Sequence, residues 1–425
     1  MGETIRMAMV GCGGMGHRHL YGLEELHRAG LSQLTLVGAC DPQEENAASL
    51  ADQAEQYFGA RPAVVGSLEE LARVGEIHAV DICTDPRYHH TLTAKALERG
   101  WGAMVEKPMG LTVRACARMR QVAVETGRVL SVAENYRRDP INRLAKALID
   151  QGVIGAPRFL IHQTIGGGNQ MLISVWRHQK NASGVLLDVG VHFADMMEYL
   201  LGEVDTVYAH TRLYERIRKN PMAGEGSKNR GRTTKVYERW QRRMPAQFEA
   251  TAEDAAYATL LFRSGVVGQY IEEHAGHGRG MWQRSVFGSK GSLDLPGDRS
   301  GRPIILTLDG EEPISGEPLL DLVPDFRLDD TSAALFGGDR LGHYDLPFPE
   351  IDRKIIAIEY HDFSEAMLTG GAPEVGPDMG ARSVALSYAI MESGETGRPV
   401  TVEDVLEDQV NTYQQEINES LGLSK

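Results

Sequence analysis

The sequence is poor in cysteine, lacks any long apolar run and has no excess of basic residues. Its 425 residues include four cysteines, none of them in a CxxC pair, which excludes a disulfide scaffold and indicates a reducing compartment. No apolar run approaches the roughly 18 residues that a membrane span requires. The 44 Lys and Arg residues are outnumbered by 59 Asp and Glu residues, and the net charge of −15 argues against a general nucleic-acid binder.

The remaining composition is that of an ordinary soluble protein. Hydrophobic residues make up 42% of the sequence and charged residues 24%. The apolar stretch near the N-terminus is too short for the core of a signal peptide. We therefore expect a cytoplasmic protein that has neither a membrane nor a nucleic-acid partner.

Short apolar runs alternate with helical patterns through the first third of the chain. Runs without polar alternation are typical of parallel strands that are covered on both faces. They predict an α/β fold, with a doubly wound parallel sheet in about the first 135 residues. The predicted strands are 5–10, 34–40, 79–83, 103–105 and 129–132, and the predicted helices include 47–58, 91–97 and 115–124.

A glycine-rich loop joins the first predicted strand to the first helix. Gly11 permits a tight turn, Gly13 lets the backbone approach a diphosphate, and Gly16 lets the helix pack closely on the strand. The N-terminus of the helix offers free N–H groups to phosphate oxygens. The pattern predicts a dinucleotide site, whose loop residues are Gly11, Gly13, Gly14, Met15 and Gly16.

The acid that ends the second predicted strand indicates which dinucleotide binds. The carboxylate of Asp41 can accept both ribose hydroxyls of the adenosine and would repel a 2′-phosphate. The next four residues contain no arginine to bind such a phosphate. We therefore expect NAD as the cofactor and regard NADP as the less favoured alternative.

Three further motifs follow in order along the chain. They are Thr84-Asp85-Pro86-Arg87-Tyr88-His89, Glu106-Lys107-Pro108 and the segment from Gly184 to Asp195, which includes Asp188 and His192. Together with the glycine loop and its acid, they resemble the Gfo/Idh/MocA family of oxidoreductases, which is named for glucose–fructose oxidoreductase and inositol dehydrogenase.

The resemblance implies two domains. A Rossmann domain would span residues 1–135, and an α+β domain with a large open, mainly antiparallel sheet would span 136–425. In the second domain we predict a helix at 141–149, a strand at 158–165, a hairpin over 255–262 and 266–271, and a helix at 381–391. The Asp188 motif is predicted to open one helix that runs to Leu201. Two stretches look like insertions, near 214–248 and 297–349.

The resemblance also implies a substrate class and an assembly. Family members mostly oxidise or reduce a secondary alcohol of a sugar or cyclitol, and they commonly form homodimers or homotetramers through the open sheet. The substrate would lie between the two domains, above the nicotinamide. Besides the glycine loop and Asp41, the residues implied in cofactor binding are Thr84, Pro86, His89, Glu106, Lys107 and Asn135.

Three residues are candidates for catalysis. His192 is suited to proton transfer because imidazole titrates near neutral pH. Asp188, four residues earlier, could bind a substrate hydroxyl or orient that imidazole, but it could equally cap a helix beside a structural histidine. Lys107 follows a strand at the edge where ligands bind and could stabilise charge on the reacting oxygen.

Four further residues are candidates for binding the substrate together with Lys107, Asp188 and His192. They are Tyr136, Arg137, Trp176 and Arg177, which by resemblance line the pocket. An indole can stack on a sugar ring and a guanidinium can bind several hydroxyls, although the same residues could form an interdomain packing cluster. The histidine pairs at 89–90 and 274–277 do not make a ligand set, so we expect no metal.

The leading interpretation is an NAD-dependent dehydrogenase acting on a sugar, sugar derivative or cyclitol. The alternative on the same fold is an NAD-dependent enzyme that oxidises a ring carbon transiently and cleaves a glycosidic bond. A non-enzymatic dinucleotide-binding regulator is disfavoured by the combination of Lys107, Asp188 and His192. The basic segment 214–248 is expected to cover the substrate side of the cleft or to reach a neighbouring subunit.

Overall fold

The computed structural model describes residues 4–224 and 235–423 of the chain. Part of the basic segment therefore falls outside the described residues. The charged and glycine residues concerned are Glu225, Gly226, Lys228, Arg230, Gly231 and Arg232.

The first part of the chain forms a six-stranded parallel sheet with helices on both faces. Its strands are β1 (Ile5–Val10), β2 (Leu34–Cys40), β3 (Ala63–Val65), β4 (Ala79–Ile82), β5 (Gly102–Glu106) and β6 (Leu130–Ala133). Its helices are α1 (Gly14–Arg28), α2 (Glu44–Phe58), α3 (Leu68–Leu71), α4 (His89–Glu98) and α5 (Val113–Thr126). The strand order β3-β2-β1-β4-β5-β6 reverses between β1 and β4, which creates a ligand-binding crevice at their carboxyl ends.

The second part is built on a nine-stranded sheet. Its strands are β7 (Pro157–Gly167), β8 (Val204–Arg212), β11 (Ala255–Phe262), β12 (Val267–Gly276), β13 (Met281–Gly288), β14 (Gly291–Leu295), β15 (Ile305–Leu308), β16 (Ile314–Ser315) and β17 (Val400–Thr401). A separate ribbon pairs β9 (Ile217–Lys219) with β10 (Gln247–Glu249). The order is β16-β15-β14-β13-β7-β12-β11-β8-β17, and β7 runs parallel to β12 whereas the other pairs are antiparallel. The predicted fold class is confirmed.

Some helices of the second part pack on this sheet, and others pack on the elements of the first part. They are α6 (Pro140–Asp150), α7 (Val185–Asp188), α8 (Gly190–Leu201), α9 (Glu238–Gln241), α10 (Asp330–Phe336), α11 (Phe348–Thr369), α12 (Pro377–Thr396), α13 (Val402–Leu406) and α14 (Gln415–Ser420). None of the described helices is long and apolar enough to cross a membrane.

Two predictions of secondary structure were wrong in detail. The helix predicted from Asp188 to Leu201 is two helices, because α7 ends at Asp188 and α8 begins at Gly190. The irregular stretch 297–349 contains β15, β16 and α10, and these strands extend the sheet at its edge. Both differences are local, and the predicted hairpin is present as β11 and β12.

Helix α11 lies late in the sequence but packs against the first sheet. A Cβ atom placed on Gly22 of α1 would lie 2.4 Å from Cγ2 of Ile356, so the two helices approach closely. The hydroxyl of Tyr360 donates a hydrogen bond to Asp81 at β4. The division of the chain at residue 135 stays a prediction, and α11 joins the two parts on either side of it.

Candidate active site

The glycine loop has the geometry that close backbone approach requires. Gly11 has a φ of +94°, and a Cβ atom there would lie 2.8 Å from the carbonyl oxygen of Cys83. A Cβ atom on Gly16 would lie 2.3 Å from the carbonyl oxygen of Gly11, so helix α1 could not pack here with a larger residue. Gly13 has no atom within 4 Å of its Cβ position, which leaves space beside the N-terminus of α1. The loop therefore fits a dinucleotide diphosphate.

Asp41 is held at the carboxyl end of β2 by backbone donors. The N–H of Cys12 donates to its Oδ2 at 2.9 Å, and the N–H of Gln43 donates to its Oδ1 at 2.8 Å. The carboxylate is thereby fixed beside the glycine loop, where its remaining lone pairs can accept ribose hydroxyls. This arrangement fits NAD.

His89 connects the loops that follow β4 and β5. Its Nδ1 lies 2.9 Å from the carbonyl oxygen of Pro108 and its Nε2 lies 3.1 Å from that of Thr84. Burial lowers the pKa of His89, so the ring is neutral and donates to one carbonyl at a time. Pro86 begins the short 3₁₀ turn between these groups. His89 thus sets the shape of the predicted cofactor pocket, and direct cofactor contacts by Thr84 and Pro86 stay predictions.

Glu106 is engaged by a buried residue that the sequence interpretation missed. Nε2 of His19 lies 3.0 Å from Oε1 of Glu106, and Nδ1 of His19 lies 2.9 Å from Oδ2 of Asp81. Although burial opposes the charge, Asp81 raises the pKa of His19 well above its usual range. An imidazolium therefore bridges two carboxylates beneath the loop that carries Lys107. A histidine one turn after the last glycine of the loop was the available signal.

The same cluster has the spacing of a small metal site. The ligand atoms of His19, Asp81 and Cys83 lie within 4.8 Å of one another. Burial raises the pKa of the Cys83 thiol, and both nitrogens of His19 already face carboxylates. The hydrogen-bond network accounts for the cluster, and the absence of a catalytic metal stays a prediction.

Lys107, Asp188 and Arg177 form a chain of charges at the cleft. Nζ of Lys107 donates to the carbonyl oxygen of Asp188 at 2.8 Å and to its Oδ1 at 3.1 Å. Nε of Arg177 donates to Oδ2 of Asp188 at 2.8 Å. Burial opposes ionisation, but Arg177 and Lys107 hold the pKa of Asp188 well below its usual range. The Lys107 ammonium is therefore fixed in place, with one of its three N–H donors left for a ligand.

His192 is oriented by Glu134 and not by Asp188. Nδ1 of His192 lies 2.8 Å from Oε1 and 2.7 Å from Oε2 of Glu134. The imidazole stacks on the ring of Tyr136, with centroids 4.0 Å apart and an interplanar angle of 3°. Among the described residues, the hydrogen bonds of the His192 ring involve Nδ1 alone, which leaves Nε2 without a partner. The sequence interpretation missed Glu134, although it directly follows β6 at the carboxyl edge of the sheet.

The surroundings shift the pKa values of both Glu134 and His192. Burial raises the pKa of Glu134 to about 7. Burial, together with the positive charges of Lys107 and Arg299, lowers the pKa of His192 well below its usual range. The imidazole is therefore neutral, and its free nitrogen can accept a proton when Nδ1 donates to an ionised Glu134.

The remaining predicted residues have different surroundings. The guanidinium of Arg137 is engaged by Asp195, with Nε donating to Oδ2 at 2.9 Å. The guanidinium of Arg177 lies 4.1 Å from the ring centre of Trp176. Oδ1 of Asn135 is buried and has no partner among the described residues, which fits an amide awaiting a cofactor donor. The substrate roles of Arg137 and Trp176 stay predictions.

A cavity of about 1750 Å³ lies beside the His192 site. Its wall includes Tyr136, whose ring stacks on His192, and Phe193, which follows His192 in the sequence. Both predicted insertions contribute further lining residues, which include Arg218, Met222, Tyr237, Asp298 and Arg299. The cavity is large enough for a sugar-sized ligand and has several side chains able to bind hydroxyls.

A dinucleotide-binding sheet with a fixed lysine at its carboxyl edge, together with a neutral histidine on α8 that a carboxylate from the same edge orients, defines an NAD-dependent oxidoreductase. The chain belongs to the Gfo/Idh/MocA oxidoreductase family. Residues 5–134 match the family's NAD-binding Rossmann fold, and residues 146–402 match its C-terminal alpha/beta domain. The predicted family, the enzyme class and the cofactor NAD are confirmed.

Curated relatives cover nearly the whole chain. Levoglucosan dehydrogenase of Pseudarthrobacter phenanthrenivorans is 26% identical over 92% of this chain and 96% of its own length. The scyllo-inositol 2-dehydrogenase (NAD(+)) of Bacillus subtilis is 26% identical over 77% of this chain and 82% of its own. A solved structure of levoglucosan dehydrogenase with NADH superposes with a TM-score of 0.70 at 22% identity, covering 94% of this chain and 99% of that one. The structural likeness supports the fold.

Proposed function

We propose that this protein is an NAD-dependent dehydrogenase that interconverts a secondary alcohol and a ketone on a sugar, sugar derivative or cyclitol. The observation that carries the proposal is the neutral His192, whose free Nε2 and whose Glu134 partner stand beside the charged Lys107. The named activities of the relatives, on levoglucosan and on scyllo-inositol, are of this class.

Proton removal is assigned to His192. Nε2 accepts the proton of the reacting hydroxyl while Nδ1–H donates to Glu134, and the buried carboxylate stabilises the imidazolium that results. Bound NAD supplies the acceptor for the hydride of the carbinol carbon. Stacking on Tyr136 holds the imidazole plane, so Nε2 keeps its direction through the transfer.

Charge stabilisation is assigned to Lys107. Its ammonium donates to the substrate oxygen as the proton leaves, and its hydrogen bonds to Asp188 hold it there. Arg177 keeps Asp188 ionised and in place. We therefore assign Asp188 the role of positioning Lys107. Of the two roles predicted from the sequence, binding a substrate hydroxyl stays a prediction, whereas the residue that orients His192 is Glu134.

A substrate panel tests the function. Sugars, anhydrosugars, cyclitols and glycosides are incubated with NAD, and NADH absorbance is followed beside product analysis by mass spectrometry. We expect NADH to form in proportion to a keto product. Lys107→Met is the control, which should be inactive but still bind NADH. A glycoside that is cleaved with no net NADH would favour the lyase- or hydrolase-type alternative. No turnover and no NADH binding would contradict the proposal.

We also propose a cytoplasmic homodimer or homotetramer that assembles through the open face of the nine-stranded sheet. Register places Leu261 opposite Val267, Val267 opposite Phe159, and Phe159 opposite Phe287, so these side chains form one apolar row across the sheet. Leu261 is 46% exposed and Phe287 37% exposed. Light scattering should give a multiple of 46.7 kDa, and Phe287→Glu should lower it. A monomeric wild-type protein would contradict this assembly.

A further inference from the structure

Residues 236–241, which we name the strap, pack on the dinucleotide-binding half of the molecule. The strap belongs to the basic segment of the second half of the chain and includes α9. Nevertheless, Arg18 Nη1 donates to the hydroxyl of Tyr237 at 3.1 Å, and that hydroxyl lies 3.2 Å from Sδ of Met15. Trp240 Nε1 donates to Oδ1 of Asn46 in α2 at 3.2 Å. The strap therefore spans the N-terminal ends of α1 and α2.

The fit at the glycine loop is close. A Cβ atom on Gly14 would lie 2.2 Å from Cδ1 of Tyr237, so the aromatic ring occupies the space that a side chain at position 14 would need. The dinucleotide fingerprint itself requires glycine at 11, 13 and 16 but not at 14. The need for glycine at position 14 is therefore explained by the strap, whose Tyr237 ring lies directly on the turn that faces a diphosphate.

The other end of the strap reaches the adenosine side. Asn46 accepts a hydrogen bond from Trp240 at Oδ1, and its own Nδ2 donates to Oδ1 of Asp41 at 3.5 Å. The Trp240 ring also meets His17 edge-on, with centroids 5.6 Å apart. The residues that the strap touches thus run from the diphosphate turn at Gly14 to the ribose acceptor Asp41.

Arg239 of the strap has a guanidinium donor that makes no hydrogen bond to the described residues. Arg239 Nη1 donates to Oγ of Ser49 at 2.7 Å, whereas its Nη2 is buried and has no partner among the described residues. The guanidinium lies 3.9 Å from the ring centre of Trp240, and partial burial lowers the pKa of Arg239. A buried guanidinium donor without an acceptor is costly unless an acceptor arrives with a ligand.

We infer that the strap is the outer wall of the cofactor site: Tyr237 covers the diphosphate of NAD above Gly14, and Arg239 donates to an anionic oxygen of the diphosphate. Neither residue takes part in hydride or proton transfer. The strap slows dissociation of the cofactor, because the adenosine half leaves only when the Tyr237 and Trp240 contacts with α1 and α2 open.

The test is direct binding of ADP-ribose, which carries the diphosphate and both riboses but no nicotinamide. Isothermal titration with the full chain is compared for the wild type, Arg239→Gln and Tyr237→Leu. We expect each variant to weaken ADP-ribose binding about tenfold, since a charge-assisted hydrogen bond or a buried contact is lost. In stopped-flow displacement, NADH should dissociate about tenfold faster from Tyr237→Leu.

Arg243→Gln is the matched control. Arg243 follows the strap and pairs with Glu45 at 3.0 Å, but both side chains are about two-thirds exposed, so its removal should leave the ADP-ribose Kd unchanged. Arg239→Lys, which keeps the charge, should regain part of the affinity.

Unchanged Kd and dissociation rate in both test variants would overturn the inference and leave the strap as packing alone. If Tyr237→Leu is unstable, Arg239→Gln decides, because Arg239 is on the partly exposed side of α9. Because ADP-ribose binding does not require turnover, this result is independent of the substrate assigned to the enzyme.

Discussion

Replacing Glu134 with Gln isolates the residue that selects the tautomer of His192. The N–H of Tyr136 donates to Oε1 of Glu134 at 3.0 Å, so a glutamine at 134 turns its oxygen toward that donor. Its NH₂ group then faces Nδ1 of His192, which must accept, and the ring proton moves to Nε2. The nitrogen that faces the cleft can no longer take a proton from the substrate.

The expected size of the effect follows from this loss. General-base catalysis contributes roughly 10²–10⁴-fold, so kcat for alcohol oxidation should fall by roughly that factor in Glu134→Gln. Steady-state kcat, together with the Kd of NADH from fluorescence titration, separates the effects. NADH binding should be unchanged, because Glu134 contacts Tyr136 and His192 among the described residues.

The pH profile gives a second readout. The pKa of Glu134 is raised to about 7, and the pair is active when this carboxyl group is ionised. The oxidation rate of the wild type should therefore rise with pH through about 7 and level off above it. Glu134→Asp should retain this limb, whereas Glu134→Gln should lose it.

Glu311→Gln, on an exposed loop, controls for removal of a negative charge. A Glu134→Gln enzyme that keeps kcat within about threefold of the wild type, with the same acidic limb, would refute the tautomer argument.

Three further expectations follow from the site. Lys107→Met should lower kcat roughly 10²–10³-fold with an unchanged NADH Kd, and near wild-type turnover would exclude the assigned role. Asp41→Ala should lower the preference for NAD over NADP about tenfold in paired titrations, since the acceptor of the ribose hydroxyls is lost; tighter NADP binding by the wild type would contradict this. His19→Gln should lower the free energy of unfolding by ~3–5 kcal/mol in urea, because Asp81 and Glu106 lose their shared cation. Since the pKa of His19 is raised above its ordinary 6.5, this stabilisation is full below pH 6.5 and is lost as pH rises through the folded-state pKa. An unchanged urea midpoint would contradict it.

Local patterns predicted the first sheet closely. The runs 5–10 and 34–40 are β1 and β2 with the predicted bounds, because each is a short, mainly apolar run that ends at a residue typical of turns, Gly11 and Asp41. Likewise, the glycine loop and Asp41 could be located because their function depends on residues adjacent in sequence. The strands of 297–349 were missed because β15 has four residues and β16 two, in a stretch rich in Gly, Pro and Asp.

Contacts between distant residues could not be predicted in this way. Periodicity shows which face of an element is buried but not which side chain lies opposite. One predicted role of Asp188, orienting the imidazole of His192, rested on their spacing of four residues. The break at Val189 separates the two residues, and Glu134, 58 residues before His192, is its hydrogen-bond partner. The strap's position on α1 could not be inferred either, since its contact between Tyr237 and Gly14 leaves no local pattern.

Helix α11 has a consequence for any division of the chain at residue 135. In addition to the contacts of Ile356 and Tyr360 described above, Asp352 of α11 accepts a hydrogen bond at Oδ2 from Nε of Arg18 at 2.9 Å. Met367 of α11 fills the space beside Gly102 of β5. Helix α11 therefore belongs to the outer layer of the first sheet, although it lies more than 200 residues after position 135 in the sequence. A fragment ending at residue 135 would consequently expose the apolar face of α1 that α11 covers.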